Sequence, residues 1–537
     1  MKSSIIGFLL VLLCAATVRG DSAAAPNPGN KKVLMILLDG VRADAVLHVD
    51  MPTLHSLVNG TWQKEYKAAF TDCGMVVQDA PPHSAPNHVS MATGVTAFKH
   101  RVFTNGRTQK GKYQRYPHFL GRLANAFPEF KCGYFYQWKH AGDILSFNDR
   151  VIYKRAGDPK MVAEASEFLK TADAVAVSIN QPDYYGHKSQ YYPRNPSYMM
   201  GLASVDRYIK QLLDAVAKRP NFAREDWLIT VAADHGGYHF RHGGKPDSGN
   251  MTTIPMVIVG KHVKQGMIKG TAYPQDIAVT ILEYFNINTR KLKLDGRKLG
   301  DEVQNISIKP LKENLAFYYD FTRNAPEFDN KMLFRESLSC FDVSMKLKQS
   351  HWQIPGSEKL NLANGNNFTL TFWAKIPKDL PAEAVLIGNK DMKKPSNPGL
   401  AVIASRVGDE QVDKTAPGIC LTIGCKDGKS IEFGQFDRTD GWNFYAVTIN
   451  ENGTMYFCNG AESGYFYHMA YDGRNAVIDS KLPFFAGQDG TGKHPAAFSG
   501  EIDDVAFWNR GMSRAELQKI FEAGRKGRDI ARILAEE

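Results

Sequence analysis

Three apolar runs constrain this chain more than any other feature: KKVLMILLDG (31–40), ADAVAVSIN (172–180) and DWLITVAAD (226–234). Each has strand length and is apolar almost throughout rather than at alternate positions. Strands of that kind are covered on both faces, which argues for a mainly parallel sheet sandwiched by helices. SYMMGLASVDRYIKQLLDAVAKR (197–219), between the second and third runs, has a period near 3.6 and reads as one of those helices. From Lys31 to about Ile308 the expected class is therefore α/β. Acids stand at the ends of the runs: Asp39, Asp234 and, just past Asn180, Asp183. Sites in open α/β sheets form beyond the carboxyl ends of the strands, so these acids mark where to look.

From about Pro310 the rhythm changes. FTLTFWAKIP, GICLTIGC, WNFYAVTIN, TMYFCNG and EIDDVAFWNR are short, alternating and aromatic-rich. They predict an antiparallel β-sandwich. SRAELQKIFEAGR follows as an amphipathic helix, with Ser513 as N-cap and Glu516 three residues on. A chain of 537 residues exceeds one ordinary core, and the expected division is 21–312 and 313–537 after a leader at 1–20. That leader, MKSSIIGFLLVLLCAATVRG, has a basic start and an apolar run from Ile5 to Val18, as a signal peptide does. The expectation is a secreted, extracellular protein, or a periplasmic one in a bacterial host. No later stretch has the apolar length of a membrane span, and RDIARILAEE offers no lipid-anchor tail.

After the leader, Cys73, Cys132, Cys340, Cys420, Cys425 and Cys458 remain. An even count in an exported chain suggests disulfides, with Cys73–Cys132 the natural pair in the first half. Sequons at Asn59, Asn250, Asn305, Asn367 and Asn452 suit glycosylation in a eukaryotic host. The formal charge of +10 is spread among acids, as in KIPKDLPAE. It suits solubility and the attraction of anionic substrates rather than a nucleic-acid polymer.

Hard and borderline metal ligands gather in the first half. MILLDG brings Asp39, QPDYYGHKS brings Asp183 and His187, and AADHGGYHFRHGG brings Asp234, His235, His239 and His242. Carboxylates with imidazoles suit zinc, and even with one histidine set aside they suffice for two ions. The stretch PPHSAPNHVSMATG (81–94) poses a choice for Ser84. It either caps a helix, with Pro86 in the first turn, or attacks a substrate. A hydroxyl needs activation to attack; no G-x-S-x-G elbow surrounds Ser84, and metal coordination is the economical alternative.

In order, LLDG, SAPNHVSMATG, PDYYGH and ADHGGYHFRHGG resemble the alkaline phosphatase superfamily, and within it the type I phosphodiesterases and nucleotide pyrophosphatases. FYQW (135–138) and MTTIPMVIVG (251–260) resemble further blocks of that group. The resemblance implies two Zn2+ ions, one held by Asp39, Asp234 and His235 with Ser84 bridging towards it. Asp183, His187 and His242 would hold the other, with His242 preferred to His239 because it directly precedes Gly-Gly. Ser84 would be the nucleophile, passing through a covalent phosphoserine that water resolves, and Asn87 would donate to a phosphoryl oxygen. The implied activity is that of a secreted zinc-dependent phosphoric ester hydrolase of the phosphodiesterase/nucleotide pyrophosphatase type. Its substrate would be a small molecule, a lipid headgroup or a nucleotide.

Three departures matter. Many nucleotide-cleaving members carry an aromatic directly after the nucleophile, and here that residue is Ala85; Tyr136, Trp138, Tyr184 or Tyr185 would have to supply an aromatic wall. In the C/S-x-P-x-R pattern of sulfatases, His88 replaces the arginine and Ser84 stands where a formylglycine precursor is expected. An added cation would suit a phosphomonoester dianion, and Lys139 is the candidate for one. An alkaline phosphatase-like monoesterase is therefore the alternative reading.

In the second half, SHWQIPGSEKLNL, NNFTLTFWAKIP, WNFYAVTI and FSGEIDDVAFWNRGMSRAEL resemble a laminin-G-like, concanavalin-type jelly roll. Such modules bind glycans or cell-surface ligands, sometimes with calcium, although no acid cluster here supports a calcium site. A second alternative follows: a non-enzymatic adhesin with an inert first half.

Overall fold

The computed structural model describes residues 28–537 except 48, 146–147, 193–194, 244–248, 305–308, 320–332, 337–342, 349, 358–359, 361, 363–366, 378, 395, 405–417, 427, 429, 437–440, 452 and 462–465. The expected leader, Cys340 and the sequons Asn305 and Asn452 lie outside the described residues, as does the side chain of Cys73.

The first unit is built on one sheet of eight strands: β1 (Lys31–Leu38), β2 (Lys67–Met75), β3 (Cys132–Tyr136), β4 (Val151–Arg155), β5 (Ala174–Ile179), β6 (Asp226–Ala233), β7 (Thr253–Gly260) and β8 (Gly266–Met267). Their order is β4-β3-β5-β1-β6-β7-β2-β8. The five strands from β4 to β6 run parallel, and β7 pairs antiparallel with both β6 and β2. All eight residues of β6 and of β7 are buried, as strands covered on both faces must be. Helix Pro196–Ala217 supplies part of that cover through Leu202, Val205, Ile209 and Leu212, which join the sheet residues in one core.

Register does the positioning. Leu38 lies opposite Ile179 of β5 and opposite Ala233 of β6. The three central strands therefore end level, and Asp39, Asn180 and Asp234 emerge side by side.

The order of strands also corrects the expected Cys73–Cys132 bridge. Four strands separate β3 from β2, which at the usual strand spacing is roughly 24 Å, several times the span of a disulfide. Cys132 is instead a free, buried thiol. Burial, with the charge of Asp173 behind it, pushes that thiol up to about 12. Asn250 is also buried, leaving no room for a glycan there in the folded chain, whereas Asn59 is exposed.

The second unit is a sandwich of two antiparallel sheets of eight and six strands. Alternation along strand Phe368–Lys375 sets its two faces. Leu370, Phe372 and Ala374 point between the sheets, while Trp373 points outward. The outer face is not solvated. Helix Arg514–Gly524 begins on Ser513, whose capping box with Glu516 is complete, and stacks Phe521 on Trp373 at 5.9 Å. This cover explains why the strands are aromatic on both faces. Across the units, Arg474 donates to the Tyr273 hydroxyl at 2.7 Å.

Trp373→Ala removes the anchor of helix Arg514–Gly524. It is expected to destabilise the sandwich by about 3–5 kcal/mol, read as a lowered unfolding transition in calorimetry of the whole chain. A loss below ~1 kcal/mol would contradict the docking described.

Candidate metal centre

Beyond the carboxyl ends of β5, β1 and β6, the chain gathers acceptors. Asp39 and Asp234 follow their strands directly, and each backbone N–H still bonds to the neighbouring strand (Asp39 to Ile179 O at 2.9 Å, Asp234 to Leu38 O at 3.2 Å). Asp183 arrives on helix Gln181–Ser189, whose first turn is fastened by buried Asp158 accepting from the N–H groups of Asn180 and Gln181 at 3.0 and 2.7 Å. That helix comes close because residue 40 is glycine. Gly40 has φ +70°, and a Cβ there would stand 2.7 Å from Asp183 Cα.

Three histidines face these acids in one defined tautomer. His235 Nδ1 donates to Gly236 O at 2.7 Å, His242 Nδ1 to Pro82 O at 2.9 Å, and His187 Nδ1 to Phe240 O at 2.8 Å. A carbonyl only accepts, so each Nδ1 carries a proton and each Nε2 is the nitrogen turned inward. His242 Nε2 and His187 Nε2 meet at 3.1 Å. Both lie near Asp183 Oδ1, at 3.7 and 3.6 Å. His235 Nε2 lies 3.3 Å from Asp39 Oδ1 and 3.4 Å from Asp234 Oδ2. Those two carboxylate oxygens are buried without a hydrogen-bond partner.

The donor set fits divalent cations. Ligand atoms of Asp39, Asp234 and His235 all lie within 4.8 Å of one another, as do those of Asp183, His235 and His242. His187 completes the second group through its contacts with Asp183 and His242. Without a metal, protons fill the gap. Burial and then the charges of Asp234 and Asp183 push Asp39 well above the usual carboxylate range. Burial works against charge on His235, yet Asp234 and Asp39 hold its proton up to about 10. Burial, and then the charge of His235, depress His242 to about 2.

Ser84 Oγ lies 3.1 Å from His235 Nε2. Ser84 is the first residue of helix Ser84–Thr93, whose N-cap is His83, so its hydroxyl does not cap that helix. Asn87 is fully buried and engaged on both sides: it accepts from Val77 N–H at 2.9 Å and donates to His83 O at 2.9 Å. The bond to His83 engages one of the two side-chain N–H groups of Asn87. Asn105, which the sequence reading passed over, accepts from Ala85 N–H at 2.9 Å beside Ser84. Its side-chain NH2 makes no hydrogen bond among the described residues. It sits in the kinked helical stretch Asn105–Lys110, which no sequence motif ties to Ser84.

Two more residues carry no motif of their own. His88 Nε2 lies 3.0 Å from Asp234 Oδ2 and 3.8 Å from Asp39 Oδ2, occupying the arginine place of the sulfatase pattern. Asn180 donates to Asp39 Oδ2 and accepts from Trp138 N–H at 3.3 Å. His239 stays outside the centre; its carbonyl accepts from Tyr191 N–H at 2.7 Å.

The aromatic candidates divide. Tyr136 stacks on Tyr134, and Tyr185 packs against Gly201, so both serve the core. Trp138, Lys139 and Tyr184 line a cleft of about 550 Å³ beside Asp183 and His187. Ala85 is fully buried and offers no stacking face.

Residues 33–248 match the family model of type I phosphodiesterase/nucleotide pyrophosphatase, and residues 348–518 match that of the concanavalin A-like lectin/glucanases superfamily. No curated protein matches the chain. Among solved structures it is similar to murine ectonucleotide pyrophosphatase/phosphodiesterase 5, at 13% identity over 48% of this chain and 95% of that one, with a TM-score of 0.38. It is also similar to a 2-O GAG sulfatase, at 12% identity over 52% of this chain and 76% of that one, with a TM-score of 0.40. The first unit thus carries a type I phosphodiesterase/nucleotide pyrophosphatase-like segment, and the second a concanavalin A-like one.

Proposed function

We propose that the chain is a secreted, zinc-dependent phosphoric ester hydrolase of the phosphodiesterase type. One observation carries this reading: Ser84 Oγ stands 3.1 Å from the same His235 Nε2 that faces Asp39 and Asp234. A nucleophile at the edge of a cation site is the arrangement that in-line displacement at phosphorus requires.

Asp39, Asp234 and His235 would hold one zinc, and Asp183, His187 and His242 the other. The bound pair would lower the pKa of the Ser84 hydroxyl and neutralise charge on the phosphoryl oxygens. Ser84 Oγ attacks phosphorus, the bond to the leaving oxygen breaks, and the departing alcohol takes up a proton. Water then cleaves the phosphoserine ester and restores the hydroxyl. Asn105 NH2 stands where it can donate to a phosphoryl oxygen, and the N-terminus of the ten-residue helix at Ser84 adds its own attraction. Asn180, on Asp39 Oδ2, and the Gly40 and His235 N–H groups, on Asp234 Oδ1, keep the other oxygens of these acids turned towards the ions. Export rests on the apolar run from Ile5 to Val18.

Diester cleavage is preferred because Lys139, the candidate cation for a monoester dianion, is exposed and stands at the cleft rather than buried at the metal ligands. The purified chain with zinc is expected to turn over a nitrophenyl phosphodiester faster than the matching monoester. The reverse order would make it a phosphomonoesterase.

Ser84→Ala is expected to lower kcat by at least ~10³-fold while metal analysis still finds the zinc. Full turnover by that variant would remove the nucleophile.

Metal ligation needs ionised carboxylates and free imidazole nitrogens, and in the metal-free chain the neighbouring acids hold the His235 proton up to about 10 while burial pushes Asp39 upward. Zinc binding near neutral pH is therefore expected to release protons, and affinity is expected to fall as pH drops. Calorimetry in buffers of different ionisation enthalpy reads this directly. A heat independent of buffer would contradict it.

A further inference from the structure

The cleft beside Asp183 and His187 holds a charge arrangement that hydrolysis of a simple diester leaves unused. Three cations reach it from three elements: Lys139 opens helix Lys139–Leu145, Arg155 ends β4, and Lys188 lies on helix Gln181–Ser189. All three are exposed, and none forms an ion pair among the described residues. Arg155 is nonetheless held in place. Its Nε donates to Gln137 O at 3.1 Å, and its two terminal nitrogens remain without a hydrogen bond among the described residues.

Helix spacing fixes the relation of this cluster to the metal ligands. Asp183 and His187 are four apart and share one stripe of their helix; Tyr184 and Lys188 are four apart and share the next. Lys188 Nζ lies 5.7 Å from the centre of the Tyr184 ring, and Tyr184 is 55% exposed, more than a ring with only a packing role would be. Of the cleft residues only Asp183 carries a negative charge, and bound metal would compensate it. With metals in place the cleft keeps a surplus of positive charge facing an aromatic wall. The single charge of a scissile diester belongs at the ions, so that surplus has no partner in the reaction itself.

We propose that this cleft is a subsite for a second oxyanion, a phosphate or sulfate, carried by the substrate within reach of the scissile phosphorus. Arg155, Lys188 and Lys139 hold the oxyanion, and Tyr184 supports the carbon skeleton that joins it to the ester. A cleft of about 550 Å³ admits a group the size of a phosphorylated or sulfated sugar or alcohol. The proposal rests on the phosphodiesterase reading and narrows it to doubly anionic substrates.

Three nitrophenyl diesters with arms of equal length test it, their arms ending in hydroxyl, phosphate or sulfate. The zinc-loaded chain is expected to favour at least one charged arm over the hydroxyl arm by about tenfold or more in kcat/KM. Whichever charged arm is favoured identifies the oxyanion. In a chain carrying Arg155→Gln with Lys188→Gln that ratio is expected to collapse towards one. No preference in the parent chain, or a preference that survives in the double variant, overturns the subsite. A purely structural role for these cations would lower all three substrates together and leave the ratio intact.

If no arm is turned over, the hydrolase reading fails and the subsite is judged by binding alone. Naphthalene-1,5-disulfonate is then titrated calorimetrically into the same two chains. Binding at least tenfold weaker in the double variant supports the subsite; equal affinity, or no binding to either chain, overturns it.

Discussion

Acceptors converging without donors between them are the constraint on which the first unit depends. Three imidazole Nε2 atoms and the carboxylates of Asp39, Asp183 and Asp234 share one small space, and two of the carboxylate oxygens have no hydrogen-bond partner. Such a cluster is repulsive unless cations or protons enter it. Much of the surrounding structure resists that repulsion. Backbone carbonyls lock the three Nδ1 atoms, Asn180 donates to the Oδ2 of Asp39, and the N–H groups of Gly40 and His235 hold the Oδ1 of Asp234. A second ring of contacts stands further out. The Tyr191 hydroxyl donates to Asp183, and Tyr191 is itself held by Arg42, whose guanidinium donates to its carbonyl at 2.6 Å and pairs with buried Asp44.

Most of the first unit's plan was legible because burial leaves a strong mark on composition. Strands buried on both faces cannot alternate, so the runs at 31–38, 174–179 and 226–233 announced a covered parallel sheet. Acids at strand ends were legible for the same reason, as polar residues where burial stops. What escaped was anything set by register or by side-chain direction. Asn87, three residues after Ser84, is fixed by backbone on both sides, its oxygen by Val77 N–H and one of its N–H groups by His83 O, and no motif records those bonds. Asn105 stands next to Ser84 only because a separate turn folds back over the helix start. Asn180 gains its place from strand ends lying level, which no local pattern records. The Cys73–Cys132 pairing failed on the same ground, since closeness in sequence says nothing about strand order.

The sandwich shows the converse case. Its strands are legible from alternation and aromatic content, and the capping box at Ser513 and Glu516 marks the helix that follows them. That the helix seals the outer face of one sheet was not legible, because an aromatic residue reads the same whichever partner covers it. Trp373, Phe444 and Trp508 belong to this outer core rather than to the space between the sheets.

The level ends of β5, β1 and β6 carry a consequence for the order of events as the chain matures. The ligands brought together there are dispersed between residues 39 and 242. No segment ending short of His242 contains both sets. Loading with metal must therefore follow assembly of the central sheet, at the slow end of folding where distant contacts close. The ion arrives as a keystone rather than as a nucleus, and a chain that has taken it up reports by that fact that its sheet is complete.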